Sequence, residues 1–189
     1  RTPPSVTVTV DRSFRIPMLM YHNVEHVEDP GDTISQKLNI YPETFDRQIK
    51  TLVDDGFSFL FVSDIAEIID GREVLPSKPV VLTFDDGYRD FYTDVLPILR
   101  KYNARSTVYV ISGFIGRPNY LTLKQLEDLQ KSNLVEFGAH TIHHADLKGM
   151  KKDSAFKEIE GSKLALEQIL KTPVLSFAYP WGKFDSATV

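Results

Sequence analysis

The sequence predicts an α/β fold, a small or incomplete β/α barrel, with a doubly wound open sheet as second choice. Three observations predict it. Short apolar segments alternate with longer segments of helical period along most of the chain, which implies parallel strands covered by helices. One segment, "KPVVLTFDD" (78–86), is a continuous β-branched run, as a strand buried on both faces requires. That run ends on Asp85, Asp86 and Gly87, at the strand end where β/α folds place their reactive groups.

The elements follow in order. Residues 1–15, rich in Thr, Pro and Val, are expected to be a linker or an edge strand, and residues 16–189 one domain. Strands are expected at 16–21, 57–62, 78–86, 106–111, 134–140 and 174–180. A helix over 42–56 puts Phe45, Ile49, Leu52 and Val53 on one face and stops at Gly56. Ser63 is positioned to cap a short helix over 63–70. Helices over 90–102 (Phe91, Val95, Leu99 and Tyr102 in register), 122–132 (Leu123, Leu126 and Leu129 inward) and 153–171 complete the alternation. The opening "RTPPSVTVTVDRSF" does not read as a signal peptide. The closing "GKFDSATV" stops where a helix begins, so further C-terminal sequence is expected.

Composition narrows the function. With 42% hydrophobic residues over 189 positions, the chain can bury a sizeable core. A net charge of −4 without a basic tract argues against nucleic acid and against anionic lipid. No apolar run is long enough to span a membrane. The absence of cysteine excludes disulfides and thiolate-held metals. Oligomeric state is not legible.

The double carboxylate is the first chemical signal. Two adjacent charges repel, and burial strips their hydration, so a cation, a shared proton or open solvent must compensate. Asp-Asp-Gly is also a common turn, with one Asp capping a helix. The second signal is "GAHTIHHADL" (138–147), which places three of the five histidines within five residues after a strand. His140 and His144, four apart, can face one point on a helical turn or tight loop, while His143 points elsewhere. A His-rich surface loop is the plainer reading. Two imidazoles and one carboxylate with open positions describe a catalytic divalent-metal site, with Asp86, His140 and His144 as ligands. Asp85 then stays unligated as a general base, and the cation offsets the paired charge.

"TFDDG" followed by "HTIHH" resembles the NodB-type polysaccharide deacetylases, carbohydrate esterase family 4, over about residues 16–185. The resemblance implies a deformed (β/α) barrel and a metal-dependent esterase that removes N-acetyl groups from N-acetylglucosamine polymers. It implies zinc, with nickel or cobalt also suited to the ligand set, and Asp85 as the base that activates water. In place of the family's Arg-x-Pro-Tyr-Gly this chain has "FAYPWGKF" (177–184), with Trp181 for the Tyr and Ala178 for the Arg. The Trp181 N–H would still serve the oxyanion, since a main-chain donor does not depend on side chain. Its indole reads equally as a sugar platform or as a core aromatic. "MLMYHNVEH" (18–26) resembles the permuted branch, the poly-β-1,6-N-acetylglucosamine deacetylases, and implies His22 as the acid that protonates the leaving amine. His26 is the weaker competitor. Tyr88, Tyr120, Tyr179 and Trp181 are candidate sugar contacts, although a Thr122-capped helix start also explains "RPNYLTL" (117–123).

The resemblance places the protein outside the cell or at its surface. Rival readings are a chitin or peptidoglycan deacetylase, a non-catalytic glycan-binding module, and a metal-dependent hydrolase of small amides.

Overall fold

The computed structural model describes residues 13–27, 37–186 and 188–189. Its centre is a parallel sheet of five strands: β1 (Met18–Tyr21), β4 (Ser58–Leu60), β5 (Pro79–Phe84), β6 (Ser106–Val110) and β7 (Val135–Ala139). Two two-residue strands, β2 (Asn23–Val24) and β3 (Asn39–Ile40), pair with each other beside it. The helices are α1 (Pro42–Asp54), α2 (Val62–Ile69), α3 (Leu96–Tyr102), α4 (Leu123–Lys131) and α5 (Lys152–Leu170). The strand–helix alternation expected from the sequence is therefore present, and every strand pair is parallel.

β5 is the hub, and all six of its residues are buried. One edge pairs with β1 from Met18↔Val81 to Tyr21↔Phe84. The other edge is divided, with β4 against Pro79–Val81 and β6 against Thr83–Phe84. Two neighbours sharing one edge make the strands splay, which deforms the barrel. At the hub's C-terminal end Phe84 stacks on Tyr21 at 5.1 Å and meets Phe91 at 4.9 Å and Phe45 at 5.7 Å edge-on. Each such pair adds about 0.5–1.5 kcal/mol beyond its buried area. The cluster binds β1, α1 and the chain entering α3 to the strand end that carries the double carboxylate. A second, smaller cluster of Leu60, Ile68 and Val81, covered by Phe14 and Ile16, packs elsewhere on the sheet.

Several expectations need correction. The segment 174–180 is not a ladder strand. It touches β7 through one parallel bridge, Ala139↔Phe177, with Ala139 N–H donating to Ser176 O and Ala178 N–H to Ala139 O. Pro173 and Pro180 lack donors, and the Ala178 carbonyl is taken by a side chain described below. Val53 is 36% exposed although Phe45 and Ile49 are buried. Each i+4 step advances about 40° around a helix, so Val53 drifts off the face that Leu52 keeps. Leu123 is exposed while Leu126 and Leu129 are buried, because it lies about 120° around the helix from Leu129. Ser63 does not cap α2. The helix starts one residue earlier, and the Asp64 carboxylate accepts the Phe61 N–H at 2.9 Å.

The expected helix over 90–102 begins as a π-helical turn, Phe91–Val95, with Leu96 N–H donating to Phe91 O. Pro97 cannot donate to the carbonyl one turn back, which favours the wider register. Thr122 does cap α4, accepting the Gln125 N–H at 3.3 Å, and Gly56 ends α1 at φ +76°, as expected. Residues 13–17 carry no regular structure. The remainder of the expected N-terminal linker lies outside the described residues.

Candidate metal centre and active site

The C-terminal ends of β1, β5, β6 and β7 deliver the site. Asp85 N–H donates to Tyr21 O at 3.0 Å, which sets the residue after β1, His22, beside the double carboxylate. His22 Nε2 lies 3.9 Å from Asp85 Oδ2. The chain then turns sharply, with Asp86 and Gly87 both at φ +73°. A side chain at Gly87 would press on Val110 at 3.3 Å, so glycine is required both by conformation and by space. Asp86 itself sits in the left-handed region, where a non-glycine residue signals a site held by its surroundings.

After β7, His140 N–H donates to Val110 O and the loop 141–144 folds back over the sheet. Thr141 and His144 also have left-handed backbones, at φ +63° and +56°. The result brings three residues together. His140 Nε2 is 3.4 Å and His144 Nε2 3.3 Å from the same oxygen, Asp86 Oδ1. The three donor atoms all lie within 4.8 Å of one another. Asp86 Oδ1 is buried and has no hydrogen-bond partner among the described residues. A buried oxygen left bare between two imidazole nitrogens is costly unless something else binds it, and a divalent cation fits this donor set.

The ring tautomer of His140 is fixed from behind. Its Nδ1 lies 2.8 Å from Ala178 O, so Nδ1 carries the proton and Nε2 keeps its lone pair for the centre. Position 178, where the resemblance expects an Arg, is an alanine, and it meets His140 through its backbone carbonyl alone. That contact also explains why the 174–180 segment pairs so briefly with β7.

Electrostatics separates the two carboxylates. Burial dominates at Asp85 and pushes its pKa up, against the opposing pull of His140 and His22 and with a push from Asp86. At Asp86 burial also raises the pKa, but the adjoining His140 ring and the charges of His144, His140 and His22 outweigh it, and the carboxyl sits below its ordinary value. Burial lowers the His144 pKa. For His140 burial pulls down, yet Asp86 and Asp85 together with the Ala178 carbonyl carry it above the ordinary imidazole value. Burial thus makes Asp85 the more basic of the two carboxylates, while the imidazoles around Asp86 favour its charged form.

The other expected site residues divide. Trp181 is 68% exposed with its ring 4.8 Å from His144's, so it is not a core aromatic; its backbone is left-handed at φ 60°, ψ 7°. Tyr88 and Tyr120 stack at 5.1 Å and share an antiparallel bridge. The Tyr88 pKa is raised by burial first and then by the Asp86 charge. Tyr120 also meets Phe114 edge-on at 5.0 Å, giving a half-buried aromatic wall beside Asp86. Tyr179 is tied into packing instead: its hydroxyl donates to Thr188 O at 2.8 Å, and its ring meets Phe177 and Phe184. His26 pairs with Glu43 at 3.0 Å and stacks on Tyr41. His143 is exposed and turned to Glu158. Sequence reasoning missed Glu158, the Ala178 carbonyl and Asp90, whose carboxylate accepts the Val24 N–H just past His22. Only Asp90 had a sequence signal, an acid in the turn after the double carboxylate.

Solved structures share this architecture. A Streptococcus pyogenes deacetylase, PplD, solved with acetate, superposes at TM-score 0.83 with 36% identity, covering 92% of this chain and 76% of that one. A Bacillus cereus polysaccharide deacetylase, BC0361, superposes at 0.80 with 27% identity, covering 92% of this chain and 54% of that one. Among curated relatives, the poly-β-1,6-N-acetyl-D-glucosamine N-deacetylase of Staphylococcus epidermidis is 28% identical over 185 residues, 87% of this chain. The enzyme of that name from Escherichia coli K12 is 30% identical over 138 residues, 65% of this chain. The chain spans 64% and 20% of those two proteins, under two thirds of either. A family model described as polysaccharide deacetylase matches residues 72–189, the stretch that contributes Asp85, Asp86, His140 and His144. With well over half its length in that match and a His–His–Asp cluster, two of its members buried, at the strand ends, the chain belongs to the polysaccharide deacetylase family.

Proposed function

We propose that this chain is a metal-dependent N-deacetylase that removes acetyl groups from N-acetylglucosamine residues of a polysaccharide outside the cell, with poly-β-1,6-N-acetylglucosamine as the favoured substrate. The observation that carries the reading is the bare Asp86 Oδ1 between two imidazole nitrogens, with a second carboxylate and a third imidazole beside it. The linkage preference is supported by the names of the Staphylococcus and Escherichia relatives and by the position of His22 after the first strand.

Asp86, His140 and His144 would hold the cation, zinc first, with nickel and cobalt equally accommodated by two nitrogens and an oxygen. When bound, such a cation supplies Lewis-acid activation of water and of the acetyl carbonyl. Asp85 takes the proton of the attacking water. The Trp181 N–H donates to the oxyanion that forms on the acetyl oxygen. Protonated His22 gives its proton to the departing amine nitrogen, and acetate leaves. Trp181 and the Tyr88–Tyr120 wall orient the sugar, and Tyr179 supports the turn that presents Trp181.

The test is acetate release from β-1,6- and β-1,4-linked N-acetylglucosamine oligomers, run side by side after metal stripping and reconstitution. Faster release from the β-1,6 oligomer is expected. A preference for the β-1,4 oligomer would overturn the linkage, and release unaffected by stripping would overturn the metal.

A further inference from the structure

Glu158 projects from α5 to the loop that joins the two imidazoles. Its Oε2 accepts the N–H groups of Ile142 at 2.9 Å and His143 at 3.0 Å, and its Oε1 takes His143 Nδ1 at 2.7 Å. One carboxylate thus gathers three hydrogen bonds from the residues separating His140 from His144. Charge-assisted bonds of this kind are stronger than neutral ones.

The loop requires such support. Thr141 and His144 flank it in left-handed conformations, and for a β-branched threonine that region is strongly disfavoured. The N–H groups of Ser112 and Gly113 donate to the carbonyls of Thr141 and Ile142. Two glycines let the neighbours close in. A Cβ at Gly113 would stand 2.4 Å from Ile142 O, and one at Gly161 would stand 2.6 Å from Ile142 Cδ1. Glu158 and Gly161 are three apart and share a face of α5. That face therefore offers the loop a carboxylate for its N–H groups and, nearly one turn on, bare backbone for the Ile142 side chain.

We propose that Glu158 is the positioning residue of the metal centre, setting the 141–143 loop so that both Nε2 atoms converge on Asp86 before a cation arrives. The inference rests on the metal reading above. Without this acceptor the Ile142 and His143 N–H groups lose their partner, the left-handed residues relax, and the two rings lose their common focus. A residue acting behind a ligand in this way typically governs about 10–100-fold in metal affinity. A purely structural Glu158 would lower stability and leave affinity alone.

Cobalt(II) titration of the full 189-residue chain separates these cases, reading the dissociation constant and the visible d–d spectrum, with circular dichroism of each metal-free variant as the fold control. Glu158→Ala is expected to weaken cobalt binding about 10–100-fold and alter the spectrum. Glu158→Gln keeps an acceptor for both N–H groups and is expected to restore most of the affinity. Should Glu158→Ala fail to fold, Gly161→Ala reads the same loop, because its added Cβ meets only the far end of the Ile142 side chain; weaker cobalt binding is again expected. A wild-type chain that binds no cobalt overturns the metal reading and this inference together. A wild-type chain that binds, with a folded Glu158→Ala or Gly161→Ala variant of equal affinity and spectrum, overturns the positioning role alone. A Glu158→Gln variant as weak as the alanine one does the same.

Discussion

His22 Nε2 stands 3.9 Å from Asp85 Oδ2, the two residues following neighbouring parallel strands that pair in register up to Tyr21↔Phe84. The separation is beyond a hydrogen bond and short enough for each group to feel the other's charge. In the proposed reaction one group takes a proton from water and the other gives one to the departing amine. Each such role typically contributes about 10²–10⁴-fold in rate. His22→Ala and Asp85→Asn are expected to lose turnover by that range while binding cobalt(II) within a few-fold of wild type, since neither is a ligand. Acetate release and metal titration on the same preparations check this. An undiminished turnover in His22→Ala would end the acid assignment.

Metal binding should also be visible as stability. A ligand at about 1,000 times its dissociation constant stabilises the native state by about 4 kcal/mol, which for a chain of this size is on the order of 10 °C in Tm. Calorimetry with zinc and with chelator should show that gap in wild type and lose it in Asp86→Ala, His140→Ala and His144→Ala. The two histidines should differ without metal. His140 is buried and bonded through Nδ1 to Ala178 O, so its removal costs about 1–3 kcal/mol by leaving that carbonyl unpartnered. His144 is only partly buried, and its removal should cost less. Equal losses would contradict the tautomer assignment.

What the sequence disclosed and what it hid follow from how local each signal was. β5 was legible because a run buried on both faces has nothing polar to interrupt it, and Asp85 and Asp86 then mark its end. His140 and His144 were legible because their spacing is itself the geometry, given a tight loop. The 174–180 segment misled because apolar content does not reveal that a carbonyl is promised to an imidazole 38 residues away. Val53 and Leu123 misled because hydrophobic character says nothing of where a helix face runs out of neighbours. Glu158 could not have been found: its partners lie across a turn and nothing in "KEIEG" sets it apart. Trp181 stayed ambiguous because both readings want an indole; the left-handed backbone that turns it outward is a tertiary result.

Trp181 therefore permits a test in which binding and stability separate. Its indole is 68% exposed beside the His144 ring, and its N–H, the proposed oxyanion donor, survives any non-proline substitution. Trp181→Ala is expected to raise KM for oligomers severalfold with a smaller loss of kcat, and to change stability by less than about 0.5 kcal/mol. Trp181→Gly relieves a φ of 60° and should be more stable than the alanine variant by about 1 kcal/mol. Steady-state kinetics and urea unfolding measure both. A loss confined to kcat would mean that the indole serves the reacting atoms and not the sugar.

Asp90 provides a pH test on a carboxylate outside the His–His–Asp cluster. Its carboxylate is 5% exposed and accepts the Val24 N–H. It shares a small polar pocket with Asn23, Glu25, Arg89, Thr93 and Asn119. Burial chiefly raises its pKa, to about 6; the Val24 N–H pulls it back, and the charges of Glu25 and Asp94 push it further up. The folded chain therefore holds this proton more tightly than the unfolded chain, whose Asp titrates near its ordinary value. The sign follows: Asp90's contribution to stability is greatest below about pH 4, falls as pH rises to about 6, and is flat above. Asp90→Asn keeps an acceptor for Val24 and removes the titration. Between pH 4 and pH 7 the asparagine variant should gain on wild type by about 1–3 kcal/mol, the equivalent of a shift of one to two units. Urea unfolding of both proteins in chelator at unit pH steps measures the difference, in which all other titrating groups cancel. A gap that stays constant with pH would mean that Asp90 is charged throughout, and that the Val24 N–H outweighs its burial.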